Sequence, residues 1–135
     1  MKPSALIVAH GQPSDPLPAE RSIAALAAKV AAVLPGWHIG SATLAAEESL
    51  KSAAQHTENP LIFPMFMSDG WFVRELLPKR LKAAGAGAGR ILPPFGRLAV
   101  THGLAGRIAR HHAAARHWPL EIGRASCRER VYGLV

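Results

Sequence analysis

The sequence predicts an α/β fold with a parallel sheet, on three observations. Continuous apolar runs at residues 5–11 and 61–67 have the length of strands that are buried on both faces. Between them, apolar residues recur at three- and four-residue steps over residues 23–34, which is typical of an amphipathic helix. Strands and helices then alternate along the chain, which favours right-handed crossovers. We therefore expect a three-layer sandwich, with helices on both faces of a four-stranded parallel sheet.

The first half of the chain is predicted to contain two strands and two helices. The first strand begins at Ala5 and stops at His10, and it is followed by a loop with three prolines, which cannot continue a strand ladder. The first helix is expected over residues 18–34, where a Pro-Gly pair ends it. Alternating polarity predicts a second strand at 37–44. A second helix is expected at 45–55, because two glutamates in its first turn interact favourably with the helix dipole.

The second half is predicted to repeat this alternation. A third strand is expected at residues 61–67, with Pro64 marking a bulge or a sheet edge. A third helix follows at 71–84, and Pro78 is expected to kink or divide it. After an Ala/Gly connection come a short fourth strand at 90–95 and a last helix at 97–118, with possible breaks at Gly103 or Gly106.

Composition limits the classes of protein to consider. A chain of 135 residues with 49% apolar residues can bury one core. Its net charge of +7 is spread along helix-like segments without interleaved aromatic residues, so we expect no nucleic-acid partner; such a surface would attract a small anionic substrate. No segment has the length and polarity of a membrane span or a signal peptide, and we expect a cytoplasmic protein without a membrane partner. Cys127 is the single cysteine, which excludes an internal disulfide.

The last residues of the chain are set aside. The run from Glu121 to Val131 resembles a translated sequencing adapter, so residues 121–135 are interpreted as a non-native tail and excluded from fold prediction. Residues 1–120 are assigned to one domain, and the natural sequence is expected to continue past Leu120.

Polar and aromatic residues follow two of the predicted strands. Because ligands bind beyond the carboxyl ends of parallel strands, these residues are expected to face one crevice. They are His10, Gly11, Gln12 and Ser14 after the first strand, and Ser68, Asp69, Gly70, Trp71 and Phe72 after the third. His10 is the candidate reactive group, because a neutral imidazole can bind a transition metal and accept a proton near neutral pH.

Two segments resemble the sirohydrochlorin chelatase family, which inserts cobalt or iron into a tetrapyrrole. They are Leu-Ile-Val-Ala-His-Gly at residues 6–11 and Pro-Met-Phe-Met-Ser-Asp-Gly-Trp-Phe-Val-Arg-Glu-Leu-Leu-Pro at residues 64–78. The resemblance extends over residues 5–95. It implies a chelatase-like half with a flavodoxin- or Rossmann-like sheet, Co²⁺ or Fe²⁺ as a substrate, no nucleotide cofactor, and a tetrapyrrole partner of the cobalamin or sirohaem pathways. Such chelatases are dimers of a short chain or a doubled chain, so a homodimer or a missing second half is expected.

The resemblance implies roles for individual residues. His10 falls on the family's first metal-binding and proton-accepting histidine. Phe72 stands where the family has its second histidine, and Leu76 stands at an expected aspartate. Glu75, three residues from Phe72, is therefore the candidate second metal ligand beside His10, with Asp69 as a further carboxylate. Gly11, Gln12, Ser14 and the Ser68–Phe72 residues are the candidate tetrapyrrole contacts, because aromatic rings such as Trp71 and Phe72 can stack on a flat macrocycle.

Two alternatives remain at this stage. Phe72 and Leu76 favour a degenerate, non-catalytic half-domain that binds a tetrapyrrole or a metal. A histidine phosphatase also ends a strand in a His-Gly pair, but its chemistry needs an arginine directly before the histidine, and this chain has Ala9 there.

Overall fold

The computed structural model describes residues 2–115, so the predicted end of the last helix at residue 118, Cys127 and the excluded tail lie outside the described residues. Four parallel strands form one sheet in the order β2-β1-β3-β4. They are β1 (Ser4–Ala9), β2 (His38–Thr43), β3 (Leu61–Pro64) and β4 (Arg90–Ile91). The predicted α/β class and four-stranded parallel sheet are confirmed.

The connections between strands are helical, as expected. They are α1 (Pro16–Val33), α2 (Glu47–Gln55), and a π-helical turn (Phe72–Leu76) that leads into α3 (Leu77–Ala83); a 3₁₀ turn (Phe95–Arg97) follows β4. Pro78 lies in the first turn of α3, but the helical backbone runs without a break from the π-helical turn into α3, since Leu76 and Leu77 both have helical φ and ψ angles. Pro78 therefore does not divide the predicted third helix. A second compact unit begins at residue 99 with α4 (Ala99–Ala115). This helix continues through Gly103 and Gly106, so the predicted break there is wrong.

The core has two layers because side chains alternate across the sheet. On one face, α2 and α3 pack on the strands through residues such as Leu6, Ile62 and Leu77, which are all fully buried. On the other face, α1 packs on Ile7 through Ile23 and Ala27. The central strand β1 is thus covered on both faces, as its continuous apolar run predicts.

An apolar cavity of about 360 Å³ lies on the α1 face of the sheet, and its lining includes Leu26, Phe63 and Leu92. In the described part of the chain, no helix is long and apolar enough to cross a membrane.

Pro64 does not mark a sheet edge or a bulge. The strand β3 pairs with β1 on one side and β4 on the other, and Pro64 continues the regular register opposite Val8. Carbonyls at even positions of β3 face β4, since Ile62 accepts the N–H of Leu92. The N–H that Pro64 lacks would therefore face a position beyond the end of β4 at Ile91. A proline is tolerated in this central strand because the neighbouring strand is so short.

A glutamate in α1 joins three elements at the carboxyl end of the sheet. The Glu20 carboxylate accepts the backbone N–H of Thr43 at 2.8 Å and the hydroxyl of Ser49 at 2.5 Å. Thr43 is the last residue of β2 and Ser49 lies in the first turns of α2. Glu20 therefore holds the loop between β2 and α2 against α1.

Replacing Glu20 with alanine should destabilise the fold. The buried N–H of Thr43 would lose its acceptor, and we expect the free energy of unfolding to fall by about 1.5–3 kcal/mol. The measurement is urea denaturation followed by circular dichroism. Glu48→Ala is the matched control, because the Glu48–Lys51 pair is exposed and should contribute less than about 0.5 kcal/mol. Equal losses in the two variants would contradict this role of Glu20.

Candidate functional site

His10 lies just beyond the carboxyl end of β1 and is exposed. Its Nδ1 lies 2.7 Å from the carbonyl oxygen of Gly11. Because a carbonyl oxygen can only accept a hydrogen bond, Nδ1 must carry the proton and donate it. In the neutral ring the lone pair is then on Nε2. The imidazole is therefore held in the tautomer that leaves Nε2 available for a metal ion or a proton.

The backbone around His10 is fixed by the loop after β2. The N–H of Leu44 donates to the carbonyl of Ala9, and the N–H of Ala45 donates to that of His10. Gly11 has a φ of +77°, and a Cβ at this position would lie 2.6 Å from Thr43 Oγ1. Only glycine combines this left-handed conformation with so close a neighbour. The sequence prediction that Gly11 makes a sharp turn beside the ring is consistent with this geometry.

Two aromatic rings, Phe66 and Phe72, contact the imidazole, and Trp71 contacts Phe72; we call these three residues the aromatic cluster. The His10 and Phe72 ring centres are 4.4 Å apart and the ring planes meet at 77°. Phe66 lies 6.4 Å from both His10 and Phe72 and is nearly parallel to Phe72. The Trp71 and Phe72 rings are 5.3 Å apart. The ends of β1 and β3 therefore meet, as the parallel topology predicts.

Much of this apolar surface is exposed. Trp71 is 61% exposed, Phe72 39%, and the neighbouring Met67 72%. Large apolar side chains grouped around one polar ring are unusual on a free surface and typical of a binding site. The cluster can stack on a flat apolar ligand while His10 contacts its centre.

Phe72 opens a π-helical turn. The N–H of Leu77 donates to the carbonyl of Phe72, five residues earlier, and the Gly70 carbonyl accepts the N–H groups of Val73 and Arg74. Such turns insert an extra residue into a helix and often occur at functional sites. Here Phe72, whose ring contacts His10, is the first residue of the wider turn.

Asp69 is engaged in an ion pair. Its carboxylate accepts a hydrogen bond from the Arg74 guanidinium at 3.0 Å. This hydrogen bond holds the pKa of Asp69 below its ordinary value of 3.8, and the charges of Arg74 and Arg97 act in the same direction. Asp69 is therefore an anion at neutral pH, and its charge is largely balanced by Arg74.

The other predicted site residues lie on the surface around these groups. Gln12 and Ser14 are exposed and hydrogen-bond to each other at 3.2 Å, while Ser68 and Gly70 are exposed in the loop after β3. Glu75 is exposed on the π-helical turn. Within residues 2–115, no three His, Cys, Asp or Glu side chains are grouped closely enough to hold a metal ion. His10 and Glu75 as joint metal ligands stay a prediction.

The residue pattern does not indicate two residues near the site, Phe66 and Arg97. It predicts Phe66 in the third strand, but β3 ends at Pro64. Arg97 ends the 3₁₀ turn after β4, where Gly96 donates its N–H to the Phe66 carbonyl. A Cβ on Gly96 would overlap the backbone of Met67. The signal available in the sequence is the glycine before Arg97, which allows this close approach.

Comparisons with known proteins place this arrangement in context. The chain is 46% identical to CbiX, the terminal enzyme for biosynthesis of siroheme in denitrifying bacteria, and the two structures agree with a TM-score of 0.76. This match covers 87% of the chain but only 50% of that protein, so the chain spans half the length of this relative. A CbiX protein assigned to cobalamin (vitamin B12) biosynthesis in Marinobacter aquaeolei VT8 has the same fold, with a TM-score of 0.56 at 20% identity, over 84% of the chain and 98% of that protein. No protein-family model and no curated protein matches the chain.

Proposed function

We propose that this chain, which is 46% identical to CbiX over 87% of its own length and over half of that protein, is one half of a chelatase that inserts a divalent metal into sirohydrochlorin. The single observation that carries the proposal is the exposed imidazole of His10 within the aromatic cluster, with Nδ1 bound to the Gly11 carbonyl. Metal and tetrapyrrole are both substrates. Co²⁺ and Fe²⁺ are the candidate metals, because imidazole nitrogen is a good ligand for each of them.

His10 performs two tasks in turn. Its free Nε2 first binds the metal weakly, since one imidazole holds a divalent ion poorly. When the metal passes to the macrocycle nitrogens, two N–H protons leave the macrocycle. Nε2 is then vacant and accepts one of them, while the other passes to water. A neutral imidazole suits both tasks because it binds metals and accepts protons near neutral pH.

The aromatic cluster supplies the surface for the macrocycle. Trp71 and Phe72 are exposed and contact each other edge to face, so a flat ring can bury apolar area on them. Gly11, Gln12, Ser14, Ser68, Asp69 and Gly70 border this surface and offer backbone or polar contacts for the rim of the macrocycle.

Phe72 supports a second candidate function. The ring contacts His10 and stands at the position where the family carries a second histidine, so this half can bind a tetrapyrrole without inserting metal efficiently. In that case it is the binding half of a longer or dimeric protein. A homodimer or a second half-domain would supply the remaining metal ligands.

A direct assay separates these functions. The purified chain is mixed with sirohydrochlorin, and binding is followed by quenching of tryptophan fluorescence; Co²⁺ is then added and insertion is followed by the absorbance spectrum. We expect binding, and insertion faster than the spontaneous reaction. Binding without acceleration would support the non-catalytic half-domain. Absence of binding would contradict both, and turnover of a generic phosphomonoester would instead indicate a phosphatase.

Replacing Phe72 with histidine should increase metal affinity. Two imidazoles that share one metal ion at about 2.1 Å have ring centres roughly 4.5–5.5 Å apart. The present separation of 4.4 Å between the His10 and Phe72 rings requires only a small adjustment. We expect Co²⁺ to bind Phe72→His about 10–100-fold more tightly than the wild type, since the second imidazole is already held beside the first and adds a metal–nitrogen bond without a further loss of translational freedom.

Isothermal titration with Co²⁺ measures this affinity. Phe72→His combined with His10→Ala is the control, because it keeps the new imidazole and removes the old one. If the single and double variants bind Co²⁺ equally, the two positions do not form a joint metal site.

A further inference from the structure

A cleft of about 400 Å³ lies beside the aromatic cluster, at the carboxyl ends of β3 and β4. Its lining includes Asp69 and Val73, which flank Trp71 and Phe72 in the chain, and Pro93, Pro94 and Arg97 from the segment after β4. The cleft is therefore adjacent to the exposed aromatic cluster, the surface proposed to stack on the macrocycle.

The charges in this cleft favour an anion. Asp69 is neutralised by its ion pair with Arg74, and Arg97 adds a second guanidinium close enough to act on the Asp69 carboxylate. Arg97 is exposed, so its guanidinium is accessible to a ligand. Two arginines and one aspartate leave the cleft with a net positive charge.

The backbone that carries Arg97 is held firmly against the site. The N–H of Gly96 donates to the Phe66 carbonyl at 2.9 Å, and Gly96 packs so closely on Met67 that no side chain fits there. The N–H of Arg97 donates to the Pro94 carbonyl at 2.8 Å. Because Phe66 also contacts the His10 ring, the position of Arg97 is fixed relative to the reactive imidazole.

We propose that Arg97 binds a carboxylate on the rim of the tetrapyrrole and so orients the macrocycle over His10. The inference rests on the proposed function, because sirohydrochlorin carries acetate and propionate groups around its rim. A guanidinium can donate two parallel hydrogen bonds to one carboxylate, which fixes direction as well as distance. Arg97 is thus a specificity residue for an anionic macrocycle.

Binding of metal-free sirohydrochlorin, measured by quenching of tryptophan fluorescence, tests the proposal. We expect Arg97→Gln to raise the dissociation constant about 10-fold and Arg97→Glu to raise it further, while Arg97→Lys retains part of the affinity. Added NaCl should weaken binding by the wild type more steeply than binding by Arg97→Gln. Arg90→Gln is the matched control, because Arg90 is exposed at the opposite, amino end of β4.

The outcomes are distinguishable. If the wild type binds sirohydrochlorin and Arg97→Gln binds it within twofold, or if Arg90→Gln loses as much affinity, the role of Arg97 is overturned and the proposed function stands. An equal salt dependence of the wild type and Arg97→Gln also overturns it. If the wild type itself does not bind the pigment, both the proposed function and this inference are wrong.

Discussion

His10→Ala should lose metal insertion while keeping tetrapyrrole binding. The substitution removes Nε2, which is the proposed metal ligand and proton acceptor, so we expect the insertion rate to fall at least about 100-fold towards the spontaneous rate. The aromatic cluster is untouched, and we expect the dissociation constant for sirohydrochlorin to change by no more than about threefold. Continuous absorbance measurements give the rate of metal insertion, and quenching of tryptophan fluorescence gives the dissociation constant for sirohydrochlorin.

His38→Ala is the matched control for this variant. His38 is also an exposed histidine at a strand end, but it begins β2 and so lies at the opposite end of the sheet. It should behave as the wild type in both assays. If His10→Ala and His38→Ala insert metal at equal rates above the spontaneous reaction, His10 has no part in the mechanism.

Gly96→Ala should be the most destabilising small substitution in the described part of the chain. A methyl group at this position overlaps the carbonyl of Met67, so either the 3₁₀ turn or the loop after β3 must move. Both are anchored, since the Gly96 N–H donates to the Phe66 carbonyl. We expect the free energy of unfolding to fall by about 3 kcal/mol or more, the upper part of the range for overpacking. Urea denaturation measures the change.

Gly70→Ala provides the comparison in the neighbouring loop. A Cβ on Gly70 meets only Ser68 Oγ, at an ordinary contact distance of 3.8 Å. The change in stability should stay within about 0.5 kcal/mol. A Gly96→Ala protein as stable as Gly70→Ala would show that the loop at Met67 moves easily and that Arg97 is not rigidly placed.

The order and type of the elements could be predicted because each apolar run has the length and periodicity of one element. The boundaries near β4 could not. The predicted strand at 90–95 shrinks to Arg90–Ile91, because Pro93 and Pro94 have no N–H to donate to a ladder. Pro64 was expected at an edge or a bulge, since the sequence does not reveal that its neighbouring strand stops two residues earlier.

The proximity of the candidate site residues could be predicted in part from the sequence. Parallel strands place their carboxyl ends together, so the meeting of His10 with Phe72 follows from topology alone. The hydrogen bond from His10 to Gly11 and the ion pair of Asp69 with Arg74 depend on side-chain rotamers, which the pattern of residues does not specify. Arg97 was missed because it comes from the fourth strand's connection, whose course is set by the close contact at Gly96.

The short fourth strand also bears on solubility. β4 is the outer strand on its side of the sheet, and it offers only two residues before the Pro93-Pro94 pair. A β-strand of another molecule would have too few backbone groups there to pair with, and short edge strands with prolines commonly protect proteins against aggregation. The Pro93-Pro94 pair that borders the Arg97 cleft thus also makes this edge of the sheet a poor template for fibril formation.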